Sequence, residues 1–204
     1  MNLHIPQTEE ARAEAETLME VQTQLISPRY GLSIIGCNQD SISGNYLLTK
    51  DMVVSKEEAI DLLASVGMTD FSRLPNKEKV TGKEVFSALL PDDFYFEGQS
   101  KSIPVDHPDH KVLIKNGVLK SGVMDKSNLG EGSGLLLRKI HKQYGRDEMV
   151  GILGRIYRLG NEVLLKYGFT TKLSDADLNE EAKLELKKIT DSAYADVNKM
   201  IEKF

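Results

Sequence analysis

The chain has 204 residues, 40% of them hydrophobic, and a net charge of −5; that length buries a real core in one large or two small domains, while a freestanding nucleic-acid binder carries a basic balance instead. A single cysteine, Cys37, excludes an internal disulfide framework. No apolar run approaches the roughly 20 residues of a bilayer span, and the opening Met1-Asn2-Leu3-His4-Ile5-Pro6 lacks the basic start and apolar segment of a signal peptide, so a cytoplasmic protein is expected.

In chain order, Thr8 predicts the cap of a helix over about 9–25, with Glu9 and Glu10 favoured by the dipole of its first turn. Leu18, Val21, Leu25 and Ile26 would share one face, and Ser27-Pro28 would stop the helix. Tyr30-Gly31 makes a turn, Ile34-Ile35-Gly36 a short apolar run, and Gln39-Asp40 opens a helix to about Thr49. Ser55 with Glu58 forms a capping box for a helix to about Val66, closed by Gly67. Thr81 with Glu84 forms a second box for a short helix ending before Pro91.

Phe94-Tyr95-Phe96 reads as a strand. Lys111 to Lys115 and Val118 to Met124 flank Asn116-Gly117, the strongest hairpin signal in the chain. After Gly134 the texture turns helical, over about 135–144 and 147–167, with Gly168 as the closing cap. A polar joint, Ser174-Asp175-Ala176-Asp177, precedes a last helix from about 178 to the end, carrying Leu184, Leu186, Ile189, Val197 and Ile201. The fold class is α+β: a mixed helix and short-strand region followed by a helical segment.

Four groups of residues suggest chemistry. Asp106-His107-Pro108-Asp109-His110 holds two carboxylates and two imidazoles of metal-ligand type, but Pro108 prevents a regular helix from aligning them, and a solvated loop is the plainer reading. Gly130-Glu131-Gly132-Ser133-Gly134 precedes a helix as a phosphate cradle would. It lacks the Gly-Lys-Ser/Thr of the Walker pattern and the third dinucleotide glycine, whose place Leu135 takes, so it reads as a flexible hinge or loop. Cys37 has no base at fixed spacing and reads as a small buried hydrophobe. From Leu135 to Lys172, eight cations (Arg138, Lys139, Lys142, Arg146, Arg155, Arg158, Lys166, Lys172) face three acids (Asp147, Glu148, Glu162). Such a run is ordinarily a solvated face, and it also suits a basic wall that attracts phosphates or an acidic partner.

The stretch Met1-Asn2-Leu3-His4-Ile5-Pro6-Gln7-Thr8-Glu9-Glu10-Ala11, followed in order by Ser27-Pro28, Gly36, Gln39-Asp40, Gly44 and Leu47-Leu48-Thr49, resembles the largest catalytic subunit of multisubunit DNA-directed RNA polymerases. Gly122-Val123-Met124-Asp125-Lys126 looks like that family's Gly-Val-acid-Lys turn, and Gly168-Phe169-Thr170-Thr171 like the corner that ends its pore domain. The resemblance runs nearly end to end and is closest to the archaeal A-prime type.

It implies a pore domain (domain 3) over 1–173 and the start of a helical funnel domain (domain 4) over 174–204. In such enzymes this region lines the secondary channel, where nucleotides reach the active site, backtracked RNA is extruded and transcript-cleavage factors dock. Lys126, Arg138, Lys142, Arg155 and Arg158 would then face the channel. On their helices Arg138 and Lys142 would share a face, as would Arg155 and Arg158, with Lys139 off it. The family's magnesium-binding aspartates would precede Met1, and its bridge helix and trigger loop would follow Phe204. No catalytic residue, metal ligand or cofactor is therefore expected in this chain, with Mg held elsewhere in the full enzyme. Other polymerase subunits, DNA, RNA and nucleoside triphosphates would be its partners. Two other readings stand beside this one: a freestanding metal-dependent hydrolase using Asp106, His107, Asp109 and His110, and a helical adaptor whose basic flank binds an acidic protein.

Overall fold

The computed structural model describes residues 2–203, and the expected end of the last helix at Phe204 lies outside them. The architecture is α+β, in two compact units, residues 1–168 and 169–204.

Unit 1 is organised around two helices, α2 (Gln39–Asp51) and α7 (Arg146–Tyr167). They cross where each has a glycine. A Cβ at Gly44 would lie 1.9 Å from the Gly160 carbonyl oxygen, and one at Gly160 would lie 2.2 Å from that of Ser41. Only backbone fits there. Asn45 fastens the crossing, its Nδ2 donating to the carbonyls of Ser41 (2.7 Å) and Ile156 (2.9 Å). Leu48, Ile152, Ile156, Leu159 and Val163 complete a sealed interior, each large apolar side chain contributing about 2 kcal/mol by leaving water.

Short elements surround this pair. Strands β1 (Val53–Ser55) and β2 (Lys79–Thr81) pair antiparallel and turn Val54 and Val80 inward. Each strand runs into a boxed helix. Ser55 and Glu58 exchange backbone hydrogen bonds of 3.0 and 3.2 Å at the start of α3 (Lys56–Ser65), and Thr81 and Glu84 do the same for α4 (Gly82–Ser87). A second antiparallel sheet has the order β3 (Phe96–Gln99), β4 (Lys111–Lys115), β5 (Val118–Ser121). Asn116 and Gly117 both take positive φ (52° and 67°), the signature of the type I′ turn that matches strand twist. A short helix, α5 (Lys126–Leu129), then leads to α6 (Leu135–Tyr144) and α7.

Several expected boundaries moved. The helix predicted over 9–25 is α-helical only over Glu9–Glu14 (α1), widens to a π turn at Ala15–Met19, and breaks at Glu20, which is extended (ψ 136°). The reason is cover: Leu18 and Val21 are exposed, and contact with the core starts at Leu25, which is buried, with Ile26 packed beside it. The strand expected at Phe94 begins at Phe96, because the Phe94 carbonyl accepts the Gly117 N–H (2.9 Å) and closes the sheet's end instead. β5 stops at Ser121, since Gly122 turns (φ +90°).

Unit 2 holds one 3₁₀ turn, Leu173–Ala176, and α8 (Glu180–Glu202), capped by the side-chain Oδ1 of Asn179, which accepts the Ala182 N–H at 2.8 Å. None of its described residues is buried. Gly168, in the left-handed region (φ +72°), ends α7.

Candidate functional site: the Asp125–Lys126 turn and its basic surroundings

Residues far apart in sequence are brought together at the turn Gly122–Lys126. Met124 is buried, and its N–H donates to Thr49 Oγ1 on α2 (2.9 Å). The Gly122 N–H donates to Asp109 Oδ1 (2.9 Å), and no side chain fits at Gly122, where a Cβ would meet Val112 Cα at 2.6 Å.

Asp125 is 1% exposed and forms the hub. Its Oδ1 accepts from Ser127 N (3.1 Å), Ser127 Oγ (2.5 Å) and Asn128 Nδ2 (2.9 Å), which caps α5. Its Oδ2 accepts from Ser100 Oγ and Lys101 N, both at 2.8 Å, and from Ser102 N at 3.2 Å. Among the described residues Asp125 forms no salt bridge. Burial pushes its carboxyl up, yet the Ser127, Ser100, Ser102 and Lys101 donors outweigh that and hold it below the usual aspartate range. The motif's acid is thus an internal clamp, and the adjacent Lys126 is the residue it presents to solvent.

The glycine segment after α5 is no flexible hinge. Gly130 N–H donates to the Lys126 carbonyl (2.8 Å), Ser133 Oγ donates to the same oxygen (2.9 Å), and Gly132 N–H donates to the Ser33 carbonyl (2.8 Å). Cys37 N–H donates to the Leu129 carbonyl (2.8 Å), and a Cβ at Gly36 would strike Glu131 N at 2.5 Å. Two glycine-bearing segments lock together because neither carries a side chain at the contact. Cys37 is buried beside them, and burial pushes its thiol up to about 12, which leaves it a protonated hydrophobe.

The cations predicted for the channel divide into two groups by location. Arg138 and Lys142 on α6 line one cleft with Tyr95, Phe96 and Leu135. Lys139, expected off that face, lines the same cleft: at about 100° per residue the three positions span only about 100° of the helix. Arg138 Nη1 also reaches the Gly31 carbonyl at 3.4 Å. On α7, Arg155 pairs with Glu148 (3.6 Å) and is half-buried, while Arg158 is exposed.

The Asp106–His110 segment is solvent-exposed at Asp106, His107 and Pro108, as a solvated loop would be, and partly buried at Asp109 and His110. Asp109 pairs with Lys83 Nζ at 2.6 Å. Partial burial pushes its carboxyl up, but Lys83 and the Gly122 N–H together draw it below the usual range. His107 Nδ1 accepts from Asp109 N (3.1 Å), and His110 Nδ1 lies 3.0 Å from the Ile103 carbonyl. Asp106 is exposed, and among the described residues no three His, Cys, Asp or Glu side chains converge as a metal-ligand set of the kind the hydrolase reading needs. No helix among those residues is long and apolar enough to cross a membrane.

Sequence reading missed the Asp125 hub, although Asp125 followed by Ser127 and Asn128 is a legible N-cap signal. The Ser100–Ser102 half of the hub, 25 residues upstream, carries no such signal.

The family model for RNA polymerase Rpb1, domain 3, matches residues 24–176. Over its whole length the chain is 39% identical to the DNA-directed RNA polymerase subunit Rpo1N of Methanocaldococcus jannaschii, covering 16% of that protein. It is 38% identical to the Rpo1N subunit of Methanothermobacter thermautotrophicus and 37% identical to that of Sulfolobus acidocaldarius, covering 24% and 25% of them. The chain therefore spans about a quarter or less of these relatives.

Proposed function

The chain belongs to the RNA polymerase Rpb1 domain 3 family, and from that premise we propose that it works as part of the largest subunit of an archaeal-type DNA-directed RNA polymerase, as a wall of the channel through which nucleotides arrive and backtracked RNA leaves. The observation that carries this reading is the family match over residues 24–176, joined to whole-length similarity with Rpo1N subunits. In this reading residues 1–173 form the pore domain and 174–204 begin the funnel. Its partners are the other polymerase subunits, the DNA and RNA, nucleoside triphosphates and a transcript-cleavage factor, in the cytoplasm.

Nucleotidyl transfer uses magnesium held by carboxylates in pairs about 3.5–4 Å apart. In this reading the chain's role is to guide and position rather than to transfer. Asp125 contributes by fixing the backbone on which Lys126 stands. Lys126, Arg138, Lys142, Arg155 and Arg158 supply positive potential that raises the local concentration of anionic nucleotides and of acidic protein tips.

The test is Lys126→Glu in the assembled polymerase. Stimulation by the cleavage factor falls, and falls further at low salt, because exposed charges are screened within about 10 Å at 0.1 M. Unassisted elongation changes less. A response to the factor that is unaltered at every salt concentration overturns the assignment of Lys126.

A further inference from the structure

Two shallow grooves on unit 1 share Glu97 and Leu135 and so run into one another. The first, about 660 Å³, lies over the outer face of the three-stranded sheet and is lined by Gln99, Lys111, Leu113 and Ser121. The second, about 440 Å³, lies between the start of β3 and α6 and is lined by Tyr95, Phe96, Arg138, Lys139 and Lys142. The combined floor is apolar, with four cations and one carboxylate around it.

These cations differ from the half-buried ones elsewhere in the unit. Arg73 pairs with Asp92 at 2.9 Å, Lys83 with Asp109 at 2.6 Å and Arg155 with Glu148 at 3.6 Å. Lys111, Arg138, Lys139 and Lys142 enter no ion pair among the described residues. Glu97, the acid that lines both grooves, is already engaged by the Tyr95 hydroxyl. Arg138 Nη1 reaches only the Gly31 carbonyl (3.4 Å), so its charge too is left without a carboxylate.

We propose that this joined groove docks an acidic peptide segment bearing apolar residues, supplied by another protein chain. Apolar side chains would cover the exposed parts of Leu113 and Leu135, and carboxylates would meet the four cations. A nucleic acid suits the groove less well. Glu97 stands in the middle of it, where a phosphate backbone would run, and the apolar floor gives phosphates nothing to bind. Carboxylate spacing along an extended peptide, by contrast, can skip that position. Arg138 and Lys142 also stand among the cations that the polymerase reading assigns to the channel, but the groove is argued from its own lining. Lys111 and Lys139 lie outside the cations assigned to the channel, so peptide binding can fail while the Lys126 result stands, and the reverse.

The experiment titrates the 204-residue chain into a fluorescein-labelled peptide of about twelve residues alternating Glu and Leu, roughly 40 Å when extended, and follows anisotropy. Matched probes are a Lys-Leu peptide and an oligouridine of similar reach. Saturable binding of the Glu-Leu peptide alone is expected. Lys111→Glu and Lys139→Glu each weaken it by about tenfold, and Lys187→Glu on α8 leaves it unchanged. Circular dichroism melts confirm that each variant is folded. The proposal is overturned by absence of saturable binding, by equal binding of the Lys-Leu peptide, by tighter binding of the oligouridine, or by an equal loss with Lys187→Glu.

Discussion

Helix α7 has 22 residues and α8 has 23. Both carry apolar residues at helical spacing. In α7, Met149, Ile152, Leu153, Ile156, Leu159 and Val163 are buried, together with Gly160. In α8, Leu184, Leu186, Ile189, Val197 and Ile201 are each more than half exposed. Periodicity therefore identifies the face that would be covered, and says nothing about whether the cover lies in the same chain. The difference extends to composition along the helices: α7 carries glycine where it meets another backbone, and α8 has none. Close helix crossing demands small residues at the point of contact.

The sharpest way to break this comparison is to place volume and charge at matched positions of the two helical environments. Gly44→Val puts a branched side chain where the Gly160 carbonyl stands 1.9 Å from an ideal Cβ, and Ile156→Lys buries an unpaired ammonium. Each is expected to cost more than about 4 kcal/mol and to abolish a cooperative melt. Ala193→Val in α8 should cost about 0.5 kcal/mol of helix propensity and no more. A wild-type-like melt for Gly44→Val would mean that the α2–α7 crossing is not the centre of unit 1.

Asp125→Ala comes next, at about 3 kcal/mol, because it strands buried donors from Ser100, Ser127 and Asn128 without an acceptor. The sign with pH follows from the depressed carboxyl. Its stabilising contribution is fully present above the usual aspartate value near 3.8 and is lost as pH falls through the lower folded-state value. Chemical denaturation should therefore find the gap between wild type and Asp125→Ala constant from pH 7 to about 5 and shrinking below about 4. A gap that widens on acidification would show that the clamp is held by something other than the ionised carboxylate.

The same residues show what was legible before any coordinates. Local signals translated directly: the Ser55–Glu58 and Thr81–Glu84 boxes, the Asn116-Gly117 turn and the Gly168 cap each depend on groups within a few residues of one another. Elements that depend on distant cover did not translate. Leu18 and Val21 read as a helix face, but the core accepts only Leu25 and, beside it, Ile26, so the helix breaks at Glu20. The three-residue strands β1 and β2 are too short for alternation to register. For the site, Asp125-Lys126 stood out as a family turn, while Lys111 and Lys139 became neighbours of one groove only through the sheet and α6. The glycines at 130–134 suggested freedom, and instead they permit a tight contact with Gly36 and Cys37.

Removing residues 169–204 should be nearly silent by comparison. Among the described residues every member of the buried core belongs to unit 1, so the shortened chain is expected to melt within about 2 °C of the full one. Hydrogen exchange should show α8 amides exchanging fast in the full chain while α2 and α7 are protected. A fall of about 10 °C on truncation would show that α8 stabilises unit 1 in solution.

The smallest expected effect is also the one that reverses sign. Ile189→Lys removes a large apolar side chain from a site that is 65% exposed, so no transfer free energy is lost from a core. The new lysine lies four residues after Glu185, in the favourable orientation for an i, i+4 pair worth about 0.3 kcal/mol. It also replaces a β-branched residue, stiff at χ1, by a straight-chain helix former. Both terms favour the helix. The substitution is therefore expected to leave the melt of unit 1 unchanged and to raise the far-ultraviolet helical signal slightly, where the same change at Ile156 destroys the fold. Loss of helical signal with Ile189→Lys would mean that the apolar face of α8 is covered in solution, and a sedimentation measurement that then fell from dimer to monomer would identify the cover as a second copy of the chain.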